Sequence, residues 1–152
     1  MRRSSGVLLV LIASVGFARG LHAQQPDPTR PCERPASEVS LEQNFPNPFA
    51  AGTSTRIPFT LCDGLFAEGR PVVVTLSVVN VIQQFVAAPA ARNHPAGEGV
   101  RVVQLEYLTP GRYFAEWDGR DSNGGLVATG TYWVQLIIPG QLPARRRMFV
   151  AR

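Results

Sequence analysis

The sequence predicts an all-β protein, one antiparallel sandwich of about seven strands, and three observations predict it. Apolar residues recur at every second position in segment after segment, the period of a half-buried strand. Turn dipeptides separate those segments: Asp63-Gly64, Glu68-Gly69, Pro110-Gly111, Asn123-Gly124-Gly125 and Pro139-Gly140. No stretch keeps the 3.6-residue period of an amphipathic helix for more than two turns. Short strands at regular spacing point to a sandwich, with an open barrel as the alternative.

The first expected core strand sets Ile57, Phe59 and Leu61 against Arg56, Pro58 and Thr60. Pro58 cannot donate to a ladder, so this strand is expected at an edge or with its amide side unpaired. Val72, Val74, Leu76 and Val78 share one face of the next strand, with Thr75 and Ser77 opposite. Val103, Leu105 and Tyr107 alternate with Gln104 and Glu106, and Tyr113, Ala115 and Trp117 alternate with Phe114 and Glu116. Tyr132, Val134, Leu136 and Ile138 face inward against Thr131, Trp133 and Gln135, and Met148 with Val150 mark a short last strand. Trp117 and Trp133 both follow Cys62, so the Cys-Trp-Cys order of antibody domains is absent. The expected fold is therefore an Ig-like antiparallel β-sandwich rather than an antibody domain.

Residues 1–23 read as a secretory signal peptide. Arg2 and Arg3 give the charged start, Val7 to Ala18 the apolar run, and Leu21-His22-Ala23 a small residue before Gln24. An uncleaved anchor helix is the alternative, but the run falls short of the roughly 20 residues that cross a bilayer, and Gly16 and Arg19 interrupt it. Residues 24–40, with Pro26, Pro28, Pro31 and Pro35, read as an extended Pro-rich linker. Residues 41–152 are the expected domain. No later apolar run is long enough to span a membrane, so no transmembrane segment is expected after cleavage.

Cleavage also changes the charge. Of fifteen basic residues against eleven acidic, Arg2, Arg3 and Arg19 leave, and the mature chain is close to neutral. No nucleic-acid partner is expected without a clustered basic stripe across one face. Every basic residue is Arg, which excludes Schiff-base lysine chemistry and a P-loop lysine. Cys32 and Cys62 are the two cysteines, and in an exported chain a disulfide is expected, with two free thiols as the alternative.

Candidates for chemistry are few. His94 is the sole histidine after residue 23, no G-x-S-x-G elbow is present, and two Cys with one His cannot complete a zinc tetrad. Asp118, Asp121 and Asn123 lack the spacing of a calcium loop and its bidentate Glu. The expectation is a non-enzyme with no catalytic residue, no cofactor and no metal.

Three patterns carry a resemblance. Leu41-Glu42-Gln43-Asn44-Phe45-Pro46-Asn47-Pro48-Phe49 resembles an "L-x-Q-N-x-P-N-P-F" opening. Trp117-Asp118-Gly119-Arg120-Asp121-Ser122-Asn123-Gly124 resembles a "W-D-G-R-D-x-x-G" turn, and Ala128-Thr129-Gly130-Thr131-Tyr132 an "A-S-G-x-Y" lead into a strand. Over Leu41 to Arg152 the set is similar to the Ig-like domain of the flagellar hook-capping (FlgD-type) family and to type IX secretion C-terminal sorting domains. The second Asn-Pro of that opening is missing, residues 80–85 lack the family's turn glycine, and residues 87–99 look like an Ala/Pro/Gly-rich insertion. Physically, Pro46 and Pro48 are expected to fix an extended lead-in that presses Phe45 and Phe49 onto the core rim. Trp117 should fill the core, Asp118 and Asp121 should cap turn amides, Gly119 and Gly124 should supply positive φ, and Gly130 should allow close approach beside Tyr132.

The resemblance implies an exported module for secretion sorting or cell-surface attachment, in the periplasm, at the outer-membrane surface or outside the cell. Its expected partner is a protein, of a secretion apparatus or an envelope complex. The alternative is a structural or binding accessory domain of an envelope or flagellar-type assembly. Arg145-Arg146-Arg147 is the densest charge in the chain and the candidate recognition element; the competing reading is a charged edge that deters aggregation.

Overall fold

The computed structural model describes Cys32 and residues 38–152. The expected signal peptide and nearly all of the expected linker lie outside the described residues. Ten strand segments form two sheets: β1 Val39–Leu41, β2 Phe49–Ala50, β3 Thr55–Leu61, β4 Val72–Val79, β5 Phe85–Ala87, β6 Ala90–Ala91, β7 Leu105–Tyr107, β8 Gly111–Trp117, β9 Gly130–Ile137 and β10 Ala144–Ala151. The count exceeds the expected seven because β2, β5, β6 and β7 have only two or three residues each, too few to show a period. One sheet has the order β1-β3-β8-β6; the other has β2-β10-β9-β4-β5, with β7 also paired to β4. Every pairing is antiparallel except β2 with β10.

The alternating faces meet between the sheets. Ile57 and Phe59 from β3, Val74, Leu76 and Val78 from β4, Ala115 and Trp117 from β8, Val134 and Leu136 from β9, and Met148 and Val150 from β10 are all buried. Tyr113 and Tyr132 each turn a hydroxyl back to a carbonyl four residues upstream, Thr109 O at 2.7 Å and Ala128 O at 2.9 Å. Such corners are a mark of Ig-like sandwiches.

The chain passes repeatedly between the sheets, and two of the crossings are short. β1 ends at Leu41 and pairs with β3, and by Phe49 the chain has crossed to pair as β2 with β10. β5 pairs with β4, while β6, only three residues later, pairs with β8 in the other sheet. The Ala/Pro stretch expected as an insertion is thus partly this crossover: Ala87, Ala88 and Ala91 are small enough to pass between the sheets and are buried there.

Several local expectations need correction. β3 is not an edge strand, since it lies between β1 and β8, and it is the other expectation that holds, with the Pro58 amide side unpaired toward β1. Pro58 O still accepts from Glu42 N at 3.0 Å, and where Pro58 lacks a donor the ladder to β1 stops, resuming as the single bridge Phe45–Arg56. Val102 is wholly buried and Val103 is 53% exposed, because Gln104 takes a φ of +49° and reverses the alternation ahead of β7. Phe45 is 77% exposed, not on the core rim, since residues 46–48 bend instead of extending. Gly130 needs its φ of +156°, not space: a Cβ there would meet nothing within 4 Å. The last strand is eight residues long, not short. Strand pairing begins at Val39, two residues ahead of the expected domain start.

The hydroxyl of Tyr107 is buried with no hydrogen-bond partner among the described residues. Burial, and secondarily Tyr113, push its ionisation well above the ordinary tyrosine range; burial also raises that of Tyr132. The unfolded chain therefore releases these protons first, so stability is complete below about pH 10 and falls as pH rises above it. The expected result for Tyr107→Phe is an unchanged or slightly raised melting temperature at neutral pH, because a buried unpaired hydroxyl is removed. Its alkaline decline should be shallower than the wild type's. Equal slopes in a pH series of melts would reject the assignment.

Candidate functional site

The "Q-N-x-P-N-P-F" segment and the terminal strand are about 100 residues apart in sequence and fit into each other. Gln43 Nε2 donates to Arg147 O at 2.9 Å, and Asn47 Nδ2 donates to the same oxygen at 3.3 Å. Phe149 N donates to Asn47 Oδ1 at 2.9 Å. The Asn47 amide thus stands in for a strand residue, giving one donor and one acceptor to β10. Two residues on, Phe49 and Ala50 pair with Val150 and Ala151 by backbone.

The bend that aims Asn47 outward is held from within. Asn44 is buried; its Nδ2 donates to Thr55 Oγ1 at 2.8 Å and to Pro46 O at 3.2 Å, while Thr55 Oγ1 donates to Pro46 O at 2.8 Å. Gln43 Nε2 also donates to Asn44 Oδ1 at 2.7 Å. The two asparagines of the motif have separate tasks, Asn44 fixing the bend and Asn47 holding the strand. Gln43, which the opening motif includes, and Thr55, which it does not, complete the arrangement. Thr55 has no hydrophobic or motif signal of its own, and its role gives no cue until the bend is seen.

Phe49, Trp117 and Tyr132 come together beneath the clamp. Trp117 meets Phe49 and Tyr132 edge-on, each with ring centroids 5.5 Å away. Trp117 Nε1 donates to Arg120 O at 2.8 Å. Gly119 has a φ of +69°, and a Cβ there would lie 2.9 Å from Ala51 Cα, so the turn and the β2 crossover touch backbone to backbone. Asp118 Oδ1 accepts from Arg120 N at 3.2 Å, and Asp121 Oδ1 accepts from Asn123 N at 2.8 Å and Gly125 N at 2.9 Å. Both carboxylates serve the turn, as the residue types suggest, and Gly124 has a φ of +86°.

Other sequence candidates sit elsewhere. Cys32 and Cys62 form a disulfide at the far end of β3 from Trp117, with a Cα–Cα distance of 5.5 Å. His94 spends both ring nitrogens on backbone, Nε2 at 2.8 Å from Glu106 O of β7 and Nδ1 accepting from Ala96 N of its own loop at 3.0 Å. Among the described residues, no group of three or more His, Cys, Asp or Glu gathers as a metal site. No helix among them is long and apolar enough to cross a membrane. Arg145, Arg146 and Arg147 are all exposed on β10.

The fold and this clamp define the class: a disulfide-bonded, Ig-like β-sandwich whose terminal strand is locked by its opening motif. No protein-family model matches the chain, and no curated protein matches it. Among solved structures, PorZ, described as an essential bacterial surface component of the type-IX secretion system of Porphyromonas gingivalis, is 18% identical with a TM-score of 0.44. The match covers 74% of this chain and 12% of PorZ. The alkylpurine DNA glycosylase AlkC of Pseudomonas fluorescens, bound to DNA containing an abasic site analogue, is 14% identical with a TM-score of 0.46, covering 76% of this chain and 31% of that one. At such scores neither likeness assigns a function.

Replacing Asn47 by alanine removes the side chain's donor and acceptor at a solvent-facing position. The expected cost is about 1 kcal/mol of global stability. The local effect should be larger: the Phe149 amide should exchange with solvent markedly faster while core amides of β9 stay protected. Unchanged Phe149 exchange would mean that Asn47 does not hold the strand.

Proposed function

We propose that this protein is an exported, non-catalytic Ig-like module that serves secretion sorting or cell-surface attachment, with a protein partner of the secretion apparatus or envelope. The observation that carries this reading is the clamp. The Asn44–Phe49 motif, which resembles the opening of sorting and hook-capping domains, and the Arg-rich last strand are one structural unit joined through Arg147 and Phe149. The disulfide suits an oxidising compartment. The polar groups best suited to chemistry are engaged in turns, which supports a binding role over an enzymatic one.

The test is expression from the native leader in a diderm host possessing a type IX apparatus. The mature protein should lie beyond the inner membrane and begin at Gln24. A reporter placed ahead of residues 41–152 should reach the surface in that host and be retained in a secretion-deficient mutant. Cytoplasmic protein with Met1 intact sinks the export reading. An accessory-domain role in an envelope assembly is favoured by the exposed apolar hairpin tip Val81, Ile82 and Phe85. That reading predicts a reporter that stays put and an intact domain that co-purifies with an envelope complex.

A further inference from the structure

β10 has an unfinished edge. On one side it pairs with β9 along its whole length up to Val150, from Ala144↔Leu136 to Val150↔Gly130. On the other side β2 reaches only Val150 and Ala151. A strand residue points its N–H and C=O to the same edge, and these groups alternate along the strand. Arg147 O and Phe149 N face the clamp, so the N–H and C=O of Arg145 and the N–H of Arg147 face that edge as well. Among the described residues, the only group bonded to Arg145 O is the guanidinium of Arg146, Nη1 at 3.1 Å, and no strand pairs with these amides, although β1 of the other sheet passes close to β10.

The side chains there are of one sign. Arg145 and Arg147 share the outer face, opposite Gln135 and Trp133 of β9, and no ion pair engages Arg145, Arg146 or Arg147 among the described residues. Arg147 instead lies over the Phe149 ring, 5.1 Å from its centroid. Three like charges disfavour a second copy of β10, which would set arginine against arginine. They favour a strand bearing carboxylates, which guanidinium groups can grip bidentately. Arg145 and Arg147 are about 6.6 Å apart along the strand, the spacing of alternate residues in any β-strand.

We infer that the Arg145–Arg147 edge of β10 takes up an extended acidic segment of a protein partner as an added strand, with Asp or Glu at alternate positions facing Arg145 and Arg147. This deepens the module reading above by giving its partner a chemistry. The clamp sets the register, because Gln43 and Asn47 close the edge at Phe149 and leave it open only upstream.

The test uses the full mature protein and a fluorescein-labelled eight-residue peptide with glutamate at alternate positions and valine or threonine between. Anisotropy at low ionic strength should show saturable binding, weakened by roughly tenfold or more in Arg145→Gln/Arg147→Gln. Both positions are exposed, and an unchanged melting curve verifies that the variant is folded. Two further peptides carry N-methyl groups on one or the other alternate set of backbone amides, leaving charge untouched. One set should abolish binding and the other should spare it, since only one edge of the peptide meets β10. Equal binding by both methylated peptides reduces the interaction to charge alone and overturns the inference, as does absence of binding. The assay reads the edge without any secretion step, so a failed export experiment and a failed peptide experiment are separable.

Discussion

Trp117→Ala is expected to lower stability by about 3–5 kcal/mol, the usual cost of deleting a large aromatic from a closed core. In a domain of this size that is a large fraction of the whole and roughly 10–20 °C in melting temperature. Three losses combine. The indole is 1% exposed, so nearly all its area returns a cavity. Phe49 and Tyr132 lose their shared edge-on neighbour. Arg120 O loses the Nε1 donor that closes the turn. Trp117→Phe keeps much of the area but not the donor and should lie between. Changing Asp118 and Asp121 together to Asn should cost no more than about 1–2 kcal/mol, because the amide oxygen can still accept from the turn amides. Calorimetry on the three variants decides the matter. A thermally silent Trp117→Ala beside a strongly destabilised or metal-responsive Asp pair would make the loop a binding site instead.

Removing the disulfide by Cys32→Ala/Cys62→Ala should cost about 3–4 kcal/mol on loop-closure entropy for a 30-residue separation. The closed loop holds β1, the clamp motif, β2 and β3, so its release acts on the unfolded ensemble and on the site together. Cys62 N donates to Glu38 O at 2.9 Å beside the bridge, and β1 has only three residues with which to hold its edge position. The double variant should show a lower denaturation midpoint and early exchange of β1 amides. Thiol labelling of the unfolded, unreduced wild type should find no reactive group. Two labelled cysteines would refute the bridge.

The long strands were legible because burial on one face writes a period of two into the sequence, as in Tyr113, Ala115 and Trp117 or Tyr132, Val134 and Leu136. Where the backbone leaves the strand, the period misleads: at Gln104 a left-handed residue moved burial from Val103 to Val102. Short segments such as β5 and β6 are invisible to periodicity, and a run of alanines reads equally as filler or as a crossing between sheets. The clamp was half legible. Asn44, Asn47 and Phe49 were marked by resemblance to a motif, yet their object is a strand about 100 residues away. Gln43 belongs to the same motif but nothing local points it at that strand, and Thr55 lies outside the motif altogether. Asn80 shows the same limit: its Oδ1 accepts from Ile82 N and Gln84 N and supports a φ of +63° at Gln83, replacing the glycine that the hairpin lacks.

The pairing of the opening motif with the terminal strand also governs how this chain acquires its shape during synthesis. Met148 and Val150 fill the core, and β2 has no partner but β10, so the sandwich cannot close while the last strand is still inside the ribosome. Contacts between segments so distant in sequence are slow to form. A newly made chain therefore remains open until β10 has been synthesised and released, a window in which the unpaired β2 and the apolar faces of both sheets are exposed. Completion of β10 then draws the two sheets together in a late step.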